Sequence, residues 1–177
     1  MNLPNAITVI RILLIPLFLY KVIQGEMVFA TAVYLTAAIT DGLDGFIARV
    51  WKMKTKLGSF LDPMADKLLV TASFLTLSVL KIIPLWLALA VISRDFIIVG
   101  GSLLVYLMKD ELTIRPQPIG KVTTFFQFSY ILLVLVRSAF DIPFLLKFNT
   151  PMMLATGGLT IISGAVYILD GLRAMED

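Results

Sequence analysis

Long apolar stretches separated by short polar breaks run through the whole chain. Each stretch is near the length that a helix rising 1.5 Å per residue needs to cross a hydrocarbon core about 30 Å thick. The alternation of apolar and polar residues that marks a half-buried strand is absent. The apolar stretches span residues 7–23, 27–49, 60–80, 84–108, 121–140 and 150–170. The pattern predicts an all-α integral membrane protein with six transmembrane helices, forming a single domain over residues 1–177.

The first eight residues are more polar than the stretch that follows. They include Asn2, Pro4, Asn5 and Thr8. We expect a short N-terminal segment that lies along the membrane interface before the first span.

Composition narrows the available chemistry. The chain has 177 residues, 59% of them hydrophobic and 15% charged, with no cysteine and no histidine. This excludes disulfides, zinc sites built from Cys and His, and nucleophiles activated by histidine. Acids, bases and metal ligands must therefore be carboxylates or hydroxyls. The modest net charge of +3 does not indicate a nucleic-acid partner.

Lysine and arginine are unevenly shared between the two ends of the predicted spans. With a cytoplasmic N-terminus, the outer ends carry Lys21, Lys81, Arg137 and Lys147. The inner ends carry Arg11, Arg49, Lys52, Lys54, Lys56, Lys67, Lys109, Arg115, Lys121 and Arg173. Because basic residues accumulate on the cytoplasmic side, this predicts that both termini lie in the cytoplasm.

Four aspartates flank the basic loop between the second and third spans. Asp41 and Asp44 are three residues apart, and Asp62 and Asp66 are four apart, so each pair shares one helix face. Because the loop is short, the two pairs are expected to converge at the cytoplasmic face. Clustered carboxylates in a low dielectric repel one another unless cations neutralise them. Ligand oxygens without nitrogen or sulfur favour Mg²⁺ or Mn²⁺, which often bind diphosphates as well.

Residues around the aspartates suit a diphosphate ligand. Gly45 and Ala48 leave a groove free of large side chains where a nucleotide can approach the helix, and Gly58 offers the same from the loop. Arg49 presents a planar fork to phosphate oxygens. Salt bridges between the aspartates and the loop lysines are the plainer alternative, but they do not require glycine and alanine at fixed offsets.

The segment as a whole resembles the signature of the CDP-alcohol phosphatidyltransferases. Its pattern is D-x2-D-G-x2-A-R-x8-G-x3-D-x3-D, and it is met by Asp41, Asp44, Gly45, Ala48, Arg49, Gly58, Asp62 and Asp66. The resemblance implies that the aspartates ligate two divalent ions and that Asp66 is the general base. It also implies a homodimer that transfers a phosphatidyl group from CDP-diacylglycerol to an alcohol and releases CMP.

Polar residues elsewhere are candidates for substrate contacts. Arg94 and Asp95 interrupt the fourth span, either as a structural ion pair or as a site. In the second case Arg94, Lys121 and Arg115 form a basic binding site for the phosphate of an acceptor.

In the opening segment, Asn5, Thr8 and Arg11 are candidates for contacts near the lipid diphosphate, with interfacial anchoring as the alternative.

The acceptor itself is open to two interpretations. The chain length, the opening NLPN and the basic candidates resemble bacterial phosphatidylglycerophosphate synthases, which implies glycerol 3-phosphate and a bacterial inner membrane. The segment Ile92-Ser93-Arg94-Asp95 instead resembles cardiolipin synthases of the family, which implies phosphatidylglycerol. A carboxylate-based ion transporter is a different class of function, and it predicts acids spread along a path and repeat symmetry, which the sequence lacks.

Overall fold

The structure is a computed structural model of the chain. It describes the backbone of residues 3–50, 56–109 and 117–176, and the side chains of residues 10–40, 67–101 and 117–173. No ligand is part of it.

Six long helices account for nearly all of the described backbone, which contains no strand. The helices are α1 (Leu3–Ile23), α2 (Met27–Val50), α3 (Lys56–Val79), α4 (Leu85–Lys109), α5 (Pro118–Phe140) and α6 (Leu146–Glu176), and a 3₁₀ turn (Pro143–Leu145) precedes α6. The all-helical prediction is confirmed. Each predicted stretch falls on one helix, and α6 continues beyond Asp170 to Glu176.

The predicted interfacial segment is not a separate element. Helix α1 begins at Leu3 and continues through the apolar stretch to Ile23. Pro4, Asn5 and Thr8 therefore lie in the first turns of α1.

Tight turns reverse the chain between consecutive helices. Gly25 has φ of 77° between α1 and α2, Lys81 has φ of 58° after α3, and Asp141 caps α5 in the left-handed region with φ of 46°. Glycine adopts such a φ without steric cost, and aspartate tolerates it better than most residues. Across the first turn, Lys21 Nζ lies 2.7 Å from Glu26 Oε2.

Helix α1 packs against both α2 and α3, while α6 packs against α4 and α5. Between these groups, α5 contacts α2 and α3 contacts α4. Aromatic residues join the groups: the Tyr34 ring centroid lies 5.6 Å from that of Phe18 and 4.7 Å from that of Phe128. Tyr34 is fully buried, and its hydroxyl donates to the Phe128 carbonyl at 3.4 Å. The core thus runs through the centre of the bundle.

Hydroxyl and amide side chains line the contact between α5 and α6. Gln127 Nε2 donates to Thr160 Oγ1 at 3.1 Å, and Thr123 Oγ1 donates to the Leu159 carbonyl at 3.2 Å. Such polar bonds between helices are common where apolar burial alone cannot drive helices together, as in a bilayer.

Many large apolar side chains face outward along the described helices. Phe96, Val79 and Phe125 are among the most exposed, at 74%, 71% and 69%. An apolar exterior of this kind is typical of a surface that meets lipid or a partner. Within the described residues, two stretches have the length and apolar character to cross a membrane, Pro118–Phe140 and Pro143–Arg173.

Two adjacent glycines in α6 have opposite surroundings and supply a matched pair of variants. A Cβ on Gly157 would lie 2.6 Å from Trp86 Cη2, whereas a Cβ on Gly158 meets nothing within 4 Å. We expect Gly157→Ala to destabilise the protein by about 1–3 kcal/mol, the usual cost of overpacking. Gly158→Ala should be neutral or stabilising because alanine favours the helix.

Thermal unfolding in detergent measures both variants. Equal melting temperatures for the two alanine variants would contradict the close packing of α6 on Trp86.

Candidate active site

The aspartates of the motif lie on two helices that both pack against α1. Asp41 and Asp44 belong to the second half of α2, and Asp62 and Asp66 belong to the first turns of α3. Their side chains lie outside the described residues, so their convergence on a metal stays a prediction. Within the described side chains, no group of three or more metal-binding residues comes together.

The donor set nevertheless fits a hard divalent cation. It offers carboxylate oxygens and no nitrogen or sulfur, which is the ligand chemistry of Mg²⁺ and Mn²⁺. Asp41, Asp44, Asp62 and Asp66 would hold the ions.

Other predicted site residues also lie outside the described side chains. Asn5 and Thr8 are in α1, Gly45, Ala48 and Arg49 are in α2, and Gly58 is in α3, while Arg115 falls outside the described backbone as well. Their proposed contacts with the CDP-lipid and the acceptor stay predictions. Arg11, by contrast, is described: it is 1% exposed and interacts within the protein, so its guanidinium lies inside the helix bundle.

Arg94 makes four hydrogen bonds inside the helix bundle. Its Nη1 donates to Asp95 Oδ1 at 2.8 Å, and its Nε donates to Ser163 Oγ at 3.3 Å. Its Nη2 donates to Ser163 Oγ at 3.3 Å and to the Gly120 carbonyl at 3.4 Å. The residue is only 6% exposed. One guanidinium thus joins α4 to both α5 and α6.

The sequence left Arg94 and Asp95 open as a structural ion pair or as a binding site. The structure contains the ion pair. Asp95, 9% exposed, offsets the charge of Arg94 within the helix that carries both. The guanidinium donates four hydrogen bonds to protein acceptors. Because it has five N–H groups, few of them are left for a ligand.

A cavity of about 720 Å³ opens beside this ion pair. Its lining includes the polar or charged residues Lys67, Arg94, Gln117, Lys121, Thr124, Ser129 and Tyr167. It also includes the apolar residues Ala38, Ile98, Phe125, Phe128 and Leu132. A lining that combines basic and apolar side chains suits a ligand with a charged headgroup and a hydrocarbon portion.

The cavity borders both halves of the aspartate motif. On α2, Ala38 lies three residues before Asp41, about 4.5 Å along the helix axis. On α3, Lys67 directly follows Asp66. A ligand in the cavity would therefore lie next to the backbone that carries the four aspartates.

The start of α5 is fixed to the end of α6 at the rim of the cavity. The Gln117 backbone N–H donates to Tyr167 Oη at 3.2 Å, and Gln117 Nε2 donates to Asp170 Oδ2 at 2.7 Å. Since the first N–H groups of a helix have no partner within it, these contacts stabilise the helix start. They set the position of Lys121, one turn further on.

Gly120 permits the close approach of α5 to this junction. A Cβ at this position would lie 2.9 Å from Tyr167 Oη and 3.2 Å from Arg94 Nη2. The Arg94 guanidinium also lies over the Tyr167 ring, 5.9 Å from its centroid. The missing side chain of Gly120 lets the Arg94 fork reach the carbonyl of the same residue.

Sequence reasoning placed Arg94 and Lys121 in one site, and both line this cavity. It did not select Lys67, Gln117 or Tyr167. Lys67 has a usable signal, because it directly follows Asp66, but the distribution of basic residues uses it only to predict the orientation of the spans. No local sequence signal points to Tyr167 or Gln117, because their contact joins residues 50 positions apart.

Comparisons with known proteins agree with the motif. Residues 1–168 match the sequence profile of the CDP-alcohol phosphatidyltransferases. A CDP-diacylglycerol–glycerol-3-phosphate 3-phosphatidyltransferase of Aquifex aeolicus is 32% identical over 98% of this chain and 97% of its own length. One of the same name from Bacillus subtilis is 30% identical over 99% of this chain and 97% of its own length.

A relative with a different name is similar to the same degree. A probable CMP-forming cardiolipin synthase of Drosophila melanogaster is 34% identical over 91% of this chain, which spans 47% of that protein. The two kinds of relative differ in the reaction that their names state. Because the profile covers nearly the whole length, the chain belongs to the CDP-alcohol phosphatidyltransferase family.

Proposed function

We propose that the chain is a six-span membrane enzyme that transfers the phosphatidyl group of CDP-diacylglycerol to glycerol 3-phosphate, giving phosphatidylglycerophosphate and CMP. The observation that carries the proposal is the cavity, which is lined by Lys67, Arg94 and Lys121 and borders the two helices of the aspartate motif. Both termini and the aspartates lie at the cytoplasmic face of a bacterial inner membrane, and the enzyme works as a homodimer. The apolar exterior supports insertion in the membrane.

The transfer needs few residues. The acceptor hydroxyl oxygen attacks the phosphorus that bears the diacylglycerol, the bond from that phosphorus to the CMP oxygen breaks, and CMP leaves. Asp66 takes the proton of the attacking hydroxyl. Asp41, Asp44, Asp62 and Asp66 would hold two divalent ions, which would neutralise the charge of the diphosphate. Gly45, Ala48, Arg49 and Gly58, with Asn5 and Thr8, line the path of the CDP-lipid.

The acceptor lies beside the basic residues of the cavity lining in this proposal. A phosphate monoester carries about −1.5 to −2 charge at pH 7, and such a group needs several donors in a partly dehydrated site. Lys121 lines the cavity, Arg94 forms its wall, and Arg115 precedes the start of α5. The relatives from Aquifex and Bacillus carry the name of this reaction.

Phosphatidylglycerol is the second candidate acceptor, which would make the chain a cardiolipin synthase. The apolar wall of Ile98, Phe125 and Leu132 favours it, since a lipid acceptor brings hydrocarbon to the site. In the favoured assignment the same wall contacts an acyl chain of CDP-diacylglycerol. The two candidates therefore differ in the hydrocarbon that contacts these apolar residues. It belongs to phosphatidylglycerol in one case and to CDP-diacylglycerol in the other.

An acceptor panel distinguishes them. Purified protein with labelled CDP-diacylglycerol and Mg²⁺ or Mn²⁺ should release CMP when glycerol 3-phosphate is added and form labelled phosphatidylglycerophosphate. Phosphatidylglycerol, serine and inositol phosphate serve as the other acceptors. Excess EDTA should abolish release without unfolding the protein, because each spanning helix satisfies its own backbone hydrogen bonds.

Cardiolipin as the main product would replace the favoured acceptor by the second candidate. Full transfer in excess chelator would contradict the metal-dependent mechanism, and absence of CMP release with every acceptor would leave room for the transporter hypothesis.

Asp66→Asn removes the proposed base and keeps the size of the side chain. We expect turnover to fall by at least about 100-fold, the lower end for a lost general base. Binding of CDP-diacylglycerol should survive better than turnover. Asp141→Asn is the matched control, since Asp141 lies in the exposed turn after α5, where asparagine tolerates the positive φ.

Steady-state kinetics with saturating substrates measure both variants. Near-normal turnover in Asp66→Asn would assign the base to another residue.

A further inference from the structure

Lys67 is a charged residue of the cavity lining, and it has no role in the reaction proposed above. It lies on α3, half-buried, and lines the cavity together with Lys121 and Arg94. Within the described residues, its ammonium has no hydrogen bond and no ion pair within 4 Å. Among the side chains that the structure describes, Asp95 attracts this ammonium and Arg94 repels it.

Asp95 is paired with Arg94 and is not bonded to the Lys67 ammonium. Asp95 Oδ1 is bonded to Arg94 Nη1 at 2.8 Å, and the other Arg94 bonds go to Ser163 and Gly120. The ion pair is thus satisfied within the protein, and Asp95 makes its ion pair with Arg94, with no bond to Lys67 among the described side chains. A half-buried ammonium without a bonded anion is costly, and an anionic ligand removes that cost.

Lys121 is a second lysine of the cavity lining. It is exposed, lines the same cavity, and has no hydrogen bond or ion pair with the residues that the structure describes. Two lysines, one on α3 and one on α5, therefore line one cavity without a bonded partner among the described side chains. A phosphate group in this cavity that reaches both lysines would receive a charge-assisted hydrogen bond from each.

We propose that Lys67, together with Lys121, binds the phosphate group of the acceptor, and that Arg94 holds the wall of this site and is not its main anion donor. The inference rests on the proposed function, because it assumes that the cavity takes the acceptor. It assigns the phosphate to the side of the cavity where Lys67 follows Asp66. The acceptor hydroxyl is thereby kept near the residue that takes its proton.

The test compares three lysine variants by KM. Lys67→Met removes the charge and keeps the length of the side chain, and Lys67→Arg restores the charge. Lys147→Met is the matched control, since Lys147 is exposed and lies 16 residues before Ser163 on α6, about 24 Å along the helix.

For Lys67→Met we expect KM for the acceptor to rise by at least about tenfold, the lower end for a hydrogen bond to a charged group. KM for CDP-diacylglycerol should change by less than about twofold. Lys67→Arg should recover most of the loss, and Lys147→Met should behave as the wild type. A rise in KM for CDP-diacylglycerol of equal size, or a fall in kcat with both KM values unchanged, would overturn the inference.

A binding measurement separates this inference from the identity of the reaction. Glycerol 3-phosphate, titrated without CDP-diacylglycerol, should raise the melting temperature of the wild type and not that of Lys67→Met. Failure of the acceptor panel with preserved glycerol 3-phosphate binding would refute the proposed function alone. Equal stabilisation of wild type and Lys67→Met, or no stabilisation of either, would overturn the role of Lys67.

Discussion

Burial of the Arg94 charge inside an apolar helix bundle is the constraint on which the described structure around the cavity depends. A guanidinium at 6% exposure must find acceptors within the protein, because the cost of an unpaired buried charge is several kcal/mol. Its acceptors come from three helices: Asp95 of α4, the Gly120 carbonyl of α5 and Ser163 of α6. Moving any one of these helices breaks a bond to a buried charge, so the relative position of the three is well determined.

The cavity follows from this arrangement. Helix α5 can approach Arg94 because Gly120 has no side chain, and its first residues are fixed by Tyr167 and by the bond from Gln117 to Asp170. Arg94, Gln117 and Tyr167 in the cavity lining are therefore bonded to each other's helices, while Lys67 and Lys121 line the cavity without a partner among the described side chains. Bonded residues beside two such cations are a suitable arrangement for holding a phosphate group in one orientation.

The helices could be predicted from the sequence because apolar stretches of spanning length leave few alternatives. The motif was equally readable, since Asp41 to Asp66 carry their chemistry in local spacing. The contacts of Arg94 were not, because neighbouring residues of a helix do not normally face each other and the Asp95 bond depends on the reach of the arginine side chain. Nor does any local pattern reveal that the Gly120 carbonyl or Tyr167 would meet α4, since those contacts arise only when α5 and α6 pack together.

A structure of the purified enzyme with Mn²⁺ and glycerol 3-phosphate tests most directly the claim that the acceptor lies in the cavity beside the aspartate motif. The account predicts phosphate density between Lys67 and Lys121, against the wall that holds Arg94. It also predicts anomalous peaks from Mn²⁺ among Asp41, Asp44, Asp62 and Asp66, at the adjoining end of the cavity. Phosphate bound outside the cavity, or manganese bound away from these aspartates, would contradict it.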